Sequence, residues 1–458
     1  RFLSIPTLGT NTVHCYDGHQ LTVRSVKTCP GTGLKLEASS RAYVLSSQPL
    51  CLTSRFHVRS SLGCFWGSLV GPHGPNNTVQ SDLEPEATSP THLPKYAGHL
   101  PMYAGHLVLG LRSPFAEAQK VPAIYVLGDS LVDVGNNNHL KLSLAKADFP
   151  HNGIDFPGQK STGRFCNGKN SADFFAEKVG LPTSPPYLSL VSNKSGSNAF
   201  PITGVSFASG GAGIFNGTDQ RYRQSIPLTK QVEYYSTVYE DLVQQLGSAT
   251  ALDHLSKSLF AVVIGSNDIL GYFKSGSDLP KKIIQQQYVD LMVMTLKDVL
   301  KRMHNFGSRK FVVAGIGAVG CCPSQRNQNK TSEECNEKAN YWSVRYNEGL
   351  KLMLQGLKSE LNDMDYSFVD TYTIFSSFIQ SPSTYGFTEV QSACCGLGNL
   401  RAQVPCVPVA KYCSNRSDHV FWDLYHPTEA AAHLFVNAVF DGSQQFAMPM
   451  NVNQLIAA

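Results

Sequence analysis

The chain of 458 residues predicts an α/β fold in which helices cover both faces of a mainly parallel sheet. Apolar, β-branched runs occur at "AIYVLGDS", "ITGVSFASGGAG", "SLFAVVIGSND", "KFVVAGIGAVG" and "YSFVDTYT", most of them ending in Gly-rich turns. Between them lie stretches of helical period such as "QQQYVDLMVMTLKDVLKRMHNFG", where we expect Leu291, Met294 and Leu296 to face the core. In such sheets, functional groups collect beyond the carboxyl ends of the strands.

Residues 1–118 differ from the rest of the chain. They lack sustained periodicity, contain four cysteines, and carry a tandem repeat, "HLPKYAGHLPMYAGHL", too short for a solenoid. The stretch "HLVLGLRSPFAEAQKVPA" resembles the tail of a secretory signal, with a cleavage-like Ala116-Glu117-Ala118. We predict a poorly ordered extension, or a mistaken upstream translation, ending in this signal-like tail, and a globular domain over 119–458. A small disulfide-bonded module is the alternative for the first segment.

Composition limits the partners of the protein. The formal net charge is only +4, and no long Lys/Arg block or aromatic-basic interleaving occurs, which argues against a nucleic-acid partner. No apolar run approaches the roughly 18 residues that cross a bilayer, so we expect no integral membrane segment. We expect a soluble monomer.

Two features favour secretion. Charged residues make up 16% of the chain, against roughly 25% in typical soluble proteins, so glycans could contribute to solubility. Acceptor sequons of the N-x-S/T type occur at Asn76, Asn193, Asn216, Asn329 and Asn415. The cysteines beyond residue 150 lie mostly in loop-like sequence that suits disulfides in an oxidising compartment; they are Cys166, Cys321, Cys322, Cys335, Cys394, Cys395, Cys406 and Cys413.

Metal and nucleotide cofactors are not predicted. The vicinal cysteine pairs lack the C-x2-C spacing of zinc sites, and no histidine pair accompanies them. "GIGAVG", residues 315–320, fits G-x-G-x-x-G after a strand, but Cys321-Cys322-Pro323 follows where a dinucleotide site needs a helix. No G-x-S-x-G occurs, which argues against a nucleophile elbow.

Three predicted strand ends carry groups that fit acyl chemistry. Ser130 follows the first strand, Gly210-Gly211 the second, and Asn267 the third. They supply a hydroxyl, an exposed backbone N–H and a side-chain amide, which together make a nucleophile with two oxyanion donors. Taken separately, each has a simpler explanation as a turn or helix cap.

A general base is expected at His426. It directly precedes Pro427, a favourable first helical residue, and Asp423 lies three positions upstream. Asp423 could fix the tautomer of the imidazole while its other nitrogen accepts a hydroxyl proton. The competing pair, Asp418-His419, precedes an aromatic run and is expected in a loop or the core.

The blocks "GDSLVDVGNNN", "GVSFASGGAG", "GSND" and "DLYHP" occur in this order, and from about Gln119 to Phe440 the chain resembles the plant GDSL-type esterase/lipases of the SGNH hydrolase superfamily. "STGRFCNGKNSADFFAEKVGLP" and "CCGLG" also read as family sequence. The resemblance implies a three-layer α/β/α, flavodoxin-like fold without a cofactor. Ser206 stands where the second block usually has asparagine.

The resemblance also implies the roles of the site residues. Ser130 would be the nucleophile, His426 the base and Asp423 the third member of the triad. The backbone N–H groups of Ser130 and Gly211 and the side chain of Asn267 would hold the oxyanion, with Gly211 chosen over Gly210 by its offset from the usual asparagine. Asn136, Asn137 and Asn138 are expected to be local turn and cap residues.

We therefore expect a secreted serine esterase/lipase, of the apoplast or cell wall, that hydrolyses small-molecule or lipid esters through an acyl-enzyme on Ser130. Two alternatives stay open. An acyltransferase of the same fold would pass the acyl group to an alcohol, and the motifs do not separate it from a hydrolase. A catalytically silent lipid-binding or wall-binding protein is the other, because fold alone does not guarantee activity.

Overall fold

The structure is a computed structural model that describes residues 11–14, 20–23 and 119–458, except residues 193–198, 219, 275–276, 278–281 and 330–331. The chain divides into two units, 1–104 and 105–458. In the first unit, β1 (Asn11–His14) pairs antiparallel with β2 (Gln20–Val23). The other expectations for residues 1–118 lie outside the described residues, and the boundary at residue 118 stays a prediction.

The second unit contains the site and alternates strands with helices. Its strands are β3 (Ile124–Gly128), β4 (Leu259–Val263), β5 (Lys310–Ala314), β6 (Asp365–Val369), β7 (Glu389–Ala393), β8 (Cys395–Gly396), β9 (Lys411–Tyr412), β10 (His419–Phe421) and β11 (Ala447–Met448). Its helices are α1 (Ser171–Lys178), α2 (Tyr187–Ser192), α3 (Leu228–Leu246), α4 (Ser248–Lys257), α5 (Ser266–Tyr272), α6 (Gln285–Asn305), α7 (Pro323–Arg326), α8 (Glu337–Glu360), α9 (Thr371–Gln380), α10 (Glu429–Phe440) and α11 (Val452–Ala457).

The central sheet has the strand order β11-β6-β5-β4-β3, with β3 to β6 parallel and β11 antiparallel at one edge. The register aligns the carboxyl ends, because Gly128 is opposite Val263, Val263 opposite Ala314, and Ala314 opposite Val369. The residues that follow these four strands therefore start from one edge of the sheet. This arrangement confirms the predicted mainly parallel sheet.

The second predicted strand, within "ITGVSFASGGAG", is only partly regular. Ser206 forms an isolated parallel bridge with Val126, and Phe207 donates its N–H to the Val126 carbonyl at 2.7 Å. The segment thus lies beside β3, where a flavodoxin-like sheet has its second strand. Its outer side pairs briefly, through a second parallel bridge between Ser206 and Pro186. The Asn136 side chain also donates to the carbonyls of Ser206 and Ala208 on that side, both at 2.9 Å.

Alternation along the strands divides the core into two layers. Tyr125, Phe260 and Phe311 belong to the cluster with α3, α6 and α8, whereas Ile124 and Val312 belong to the cluster with α1, α9, α10 and α11. Because successive side chains of a strand point to opposite faces, both faces of the sheet are covered. The fold is therefore the predicted three-layer α/β/α arrangement.

Disulfides close the region that precedes His426. Cys394 pairs with Cys413 and Cys395 with Cys406, and these four surround the fully buried Trp422; a third disulfide joins Cys321 to Cys335. The expectation of disulfides is thus confirmed for six of the eight cysteines. The remaining two, Cys166 and Cys322, are free and buried.

The helix over 285–305 confirms the predicted period, but not every apolar residue on it is core. Leu296 is buried, whereas Leu291 and Met294 are exposed, so the core prediction was wrong for those two. They lie on the helix face turned away from Met292, Leu296 and the sheet. No helix among the described residues is long and apolar enough to cross a membrane.

Candidate active site

Ser130 follows β3 by two residues, and the backbone before it is held tightly. The buried side chain of Gln231 on α3 accepts from the Gly128 N–H and donates to the Gly128 carbonyl, each at 2.8 Å. A Cβ at Gly128 would lie 2.4 Å from the carbonyl oxygen of Val263, so only glycine fits between β3 and β4. The chain therefore leaves the sheet toward Ser130 along a fixed path.

Ser130, His426 and Asp423 form one continuous chain of contacts. The Nε2 atom of His426 lies 2.7 Å from Ser130 Oγ, and Nδ1 lies 2.8 Å from both carboxylate oxygens of Asp423. The carboxylate can therefore hold the proton on Nδ1, which leaves Nε2 able to accept the proton of the serine hydroxyl. Residues distant in sequence, 130 and 426, thus meet as the sequence predicted.

The turn that joins Asp423 to His426 differs from the predicted helix start. Helix α10 begins at Glu429 with Thr428 as its N-cap, so Pro427 is not the first helical residue and that expectation was wrong. Instead, Asp423 Oδ1 accepts from the backbone N–H groups of Tyr425 and His426, both at 2.9 Å. These two bonds orient the carboxylate toward the imidazole. The helix starts later because the backbone after Asp423 turns back to pair with β10: Trp422 donates its N–H to the His426 carbonyl at 2.8 Å, and Thr428 donates to the Val420 carbonyl at 3.0 Å.

The pair is electrostatically matched. Burial alone would raise the pKa of Asp423, but the charge and hydrogen bond of His426, together with the two backbone N–H groups, outweigh burial and hold it below its ordinary value. Burial alone would lower the pKa of His426. The charge and hydrogen bond of Asp423, followed by the charge of Asp129, outweigh burial and hold this pKa above its ordinary value of 6.5. The pair thus stabilises an imidazolium when His426 takes up a proton.

The competing pair, Asp418 and His419, has a similar internal contact in a different place. His419 Nδ1 lies 2.6 Å from Asp418 Oδ1. It is His426, however, that contacts Ser130 and lines the cavity described below. Asp418 instead accepts through its backbone carbonyl from the N–H groups of Thr388 and Glu389 at the start of β7. This pair lies at the start of β10, which pairs with β7.

The three expected oxyanion donors all line one cavity with the triad. The N–H of Gly210 is already taken by Asp133 Oδ2 at 2.9 Å, whereas the N–H groups of Ser130 and Gly211 donate to no residue in the described part of the chain. Asn267, near the start of α5, donates one amide proton to the Ala212 carbonyl at 2.9 Å and keeps a second donor. This favours Gly211 over Gly210 as a donor.

The sequence analysis did not identify several residues that hold the segments around the site in place. Asp133 is fully buried, and it accepts from Gly135 and Asn136 as well as from Gly210. Burial raises its pKa to about 6, although these backbone N–H groups oppose the shift. Asp133 therefore ties the nucleophile segment to the turn that carries Gly211.

The expected role of Asn136 and Asn137 as local caps was wrong. Both side chains are fully buried and bond to residues 70 to 73 positions further along the chain. Asn137 donates to the Gly210 carbonyl at 2.8 Å and accepts from the Ser209 hydroxyl. In "GDSLVDVGNNN" the available signal was the density of Asp and Asn directly after a strand. The structure shows four of these residues buried, where they need partners that a short turn cannot supply.

Two further buried carboxyl groups lie beside the donors. Asp268 accepts from Ile214, Phe215 and Thr218, and so fixes α5, with Asn267, against the chain after Gly211. Asp129 lines the cavity with its Oδ2 buried and without a partner among the described residues, and burial raises its pKa to about 7. Asp268 thus positions Asn267, whereas Asp129 is a buried carboxyl group of the cavity wall itself.

The cavity at the triad has a volume of about 570 Å³, in the range of small-molecule sites. Most of its wall is apolar and includes Leu131, Leu144, Phe149, Phe165, Leu270, Val319, Phe375, Pro405 and Val407. The polar groups of the triad and the oxyanion donors lie in the same wall. No group of three or more potential metal ligands occurs among the described residues.

A three-layer α/β/α domain with a Ser-His-Asp contact at the carboxyl edge of its sheet defines the class of protein. The chain belongs to the GDSL-like lipase/acylhydrolase family, whose characteristic sequence matches residues 124–439. It is accordingly a hydrolase of ester bonds.

The relatives agree with this assignment. One GDSL esterase/lipase of Arabidopsis thaliana is 49% identical over 352 residues, which cover 76% of this chain and 93% of the relative. A second from the same plant is 38% identical over 340 residues, covering 73% and 85%. Among solved structures, an acetylxylan esterase from Geobacillus stearothermophilus covers 69% of this chain and 92% of its own, at 14% identity and a TM-score of 0.28. The fold assignment therefore rests on the family and on the sheet described above.

Proposed function

We propose that the protein is a serine esterase/lipase that forms an acyl-enzyme on Ser130. The observation that carries the proposal is the unbroken contact from Asp423 through His426 to the Ser130 hydroxyl at the wall of a mostly apolar cavity. A serine hydroxyl is a weak nucleophile until a positioned base removes its proton, and this contact supplies the base.

The reaction has two halves. Ser130 Oγ attacks the ester carbonyl carbon while its proton moves to His426 Nε2, and the carbonyl oxygen becomes an oxyanion held by the N–H groups of Ser130 and Gly211 and the amide of Asn267. His426 then protonates the leaving alcohol. Water attacks the acyl-enzyme, gives one proton to His426, and the acid leaves as Ser130 recovers its proton from Nε2.

The wall of the cavity supports an acyl substrate with a substantial apolar part. Burying a methylene group stabilises binding by about 0.8 kcal/mol, so each added CH2 that fits the cavity favours binding. We propose lipid-type esters as substrates, and breakdown of such esters as the role of the protein.

Hydrolysis of p-nitrophenyl esters from acetate to palmitate tests the proposal, with wild type, Ser130→Ala and His419→Asn compared. We expect Ser130→Ala to lose activity by a factor of about 10⁴ or more. His419→Asn removes the neighbouring imidazole and is expected to retain activity, because His419 does not contact Ser130. Equal activity in Ser130→Ala and wild type would contradict the serine mechanism. Sustained release of nitrophenol only when an alcohol is added would support the acyltransferase alternative.

We also propose that the protein is secreted and glycosylated. Three disulfides support an oxidising compartment, and the sequon residues Asn216 and Asn415 are exposed and accessible to a glycan. Mass spectrometry of protein secreted by plant cells, before and after glycosidase treatment, checks both points. A protein without glycans at either site would contradict the glycosylation.

A further inference from the structure

The rim of the cavity combines exposed apolar side chains with basic ones. We propose that this rim docks on an anionic lipid surface and presents the cavity to lipid esters held there, an inference that rests on the proposed function. The rim is defined here as residues 139–146, 222–224 and 404–412. Its apolar members would enter the acyl-chain boundary while its lysines meet the headgroups.

Two segments of the rim carry the most exposed apolar residues near the site. Leu144 lines the cavity and is 61% exposed, and Leu142 beside it is 65% exposed. On the other segment, Pro405 and Val407 line the cavity, and Val409 is 80% exposed. Large aliphatic side chains exposed together around a cavity mouth are typical of an interaction surface.

Hydrogen bonds and disulfides hold both segments in place. Leu142 donates its N–H to Gln224 Oε1 at 3.0 Å, and Leu144 donates to the Tyr222 carbonyl at 3.1 Å. The second segment is fixed at both ends by the disulfides of Cys406 and Cys413. The patch is therefore preformed, and docking need not order it.

The charge of the rim selects an anionic surface. The stretches "HLKLSLAK" and "VPCVPVAKY" contain three lysines and no acidic residue. Lys141 and Lys411 are exposed, and Lys146 lies beside the cavity, where its Nζ donates to the Asn138 carbonyl at 3.2 Å. A second copy of this chain on the same patch would place lysine against lysine, which disfavours a symmetric dimer.

Sedimentation with lipid vesicles tests the proposal in the Ser130→Ala background, where no ester is consumed. We expect this protein to bind vesicles of phosphatidylcholine mixed with phosphatidylglycerol about tenfold or more tightly than vesicles of phosphatidylcholine alone. Leu142→Ser with Val409→Ser should weaken binding to the mixed vesicles about tenfold. Lys141→Glu with Lys411→Glu should abolish the preference for the anionic lipid.

The exposed pair on α6 supplies the matched control. Leu291→Ser with Met294→Ser removes two exposed apolar side chains that belong to neither rim segment and do not line the cavity, and should leave vesicle binding unchanged. Thermal melting of each variant establishes that it is folded. Three results would overturn the proposal. They are absence of vesicle binding by the parent protein, equal binding by the rim and control variants, and a concentration-dependent dimerisation that is lost in the rim variants. Vesicle binding needs no turnover, so a failure to bind would not contradict the hydrolase mechanism. Equally, a failed activity assay would not contradict vesicle binding.

Discussion

Each of the two nitrogens of His426 has one partner, and this division sets the chemistry of the site. Nδ1 contacts Asp423 and Nε2 contacts Ser130. The candidate oxyanion donors also differ: the N–H of Gly210 is occupied by Asp133, whereas the N–H of Gly211 and the second amide proton of Asn267 are available to a substrate. Substitutions of single residues can therefore separate the base from the oxyanion donors.

Asn267→Ala removes one of the proposed oxyanion donors and leaves Ser130, His426 and Asp423 unchanged. We expect kcat to fall by a factor of about 10² to 10³, because the lost hydrogen bond forms fully only in the transition state. KM for a short ester should change little. Steady-state kinetics should compare this variant with Asn437→Ala. Asn437 is a control because its side-chain amide, on α10, bonds only to the nearby His433 among the residues that the structure describes. A loss of similar size in both variants would contradict the role of Asn267.

The pH dependence of the rate reports the coupling between His426 and Asp423. The base must be neutral, and its pKa is held above 6.5, so kcat/KM should rise with pH through a midpoint above 6.5. Asp423→Asn removes the main group that raises this pKa, so the midpoint should move to lower pH and kcat should fall by about 10⁴. A pH–rate profile of both proteins checks this, and an unshifted midpoint would argue against the pairing.

The elements around the site are tied together by buried side chains that cross between them. Asp133 joins the segment after β3 to the turn at Gly210, and Asp268 joins α5 to the chain after Gly211. These contacts fix the relative positions of Ser130 and the proposed donors Gly211 and Asn267, which belong to three separate segments. Preorganisation of this kind lets donors act without moving during the reaction.

Asp133→Asn tests this link between elements. An amide cannot accept at every position where the carboxylate accepts, so at least one of the N–H groups of Gly135, Asn136 and Gly210 loses its partner. We expect a loss of about 1 to 3 kcal/mol in the free energy of unfolding. We also expect kcat to fall about tenfold, because the turn with Gly211 shifts. Unchanged kinetics in a folded variant would show that Asp133 only stabilises the fold.

Much of this arrangement could be predicted at the level of elements. The strands at Ile124–Gly128, Leu259–Val263, Lys310–Ala314 and Asp365–Val369 follow from short β-branched runs, and parallel strands bring their ends to one edge. A strand near Ser206 was also predicted, but its irregularity was not. The Asn136 side chain that bonds to the Ser206 carbonyl lies 70 positions away in the sequence. The helix start after His426 was also misplaced, because the backbone of His426 and Thr428 pairs with β10, a contact that local sequence patterns do not record.

At the scale of the whole molecule, the buried carboxyl groups determine how stability depends on pH. Burial raises the pKa of Asp129 to about 7 and those of Asp133 and Asp268 to about 6, each from 3.8. The folded state therefore holds protons that the unfolded state releases between about pH 4 and 7. Stability falls as pH rises through this window. His426 acts in the same direction, because its raised pKa gives stability that is lost as pH rises through the folded value.

We therefore expect the melting temperature to be higher near pH 5 than near pH 8, by at least about 3 °C. Below the ordinary pKa range of carboxylates the trend should reverse, because the lowered pKa of Asp423 gives stability that is lost as pH falls through it. Calorimetry of the Ser130→Ala protein across this range measures the effect. The melting temperature of Asp133→Asn should depend less steeply on pH between pH 5 and 8. A melting temperature of the parent protein that rises steadily to pH 8 would contradict the assignment of protonated buried acids.

Whether Ser130 becomes the covalent acyl carrier can be measured by intact-protein mass spectrometry after exposure to a fluorophosphonate, followed by peptide mapping. We expect one added phosphonyl group, located on the peptide with Ser130. We also expect Ser130→Ala and His426→Ala to remain unlabelled, while His419→Asn is labelled as the wild type is. Labelling at another residue, or labelling that survives in Ser130→Ala, would show that Ser130 is not the nucleophile.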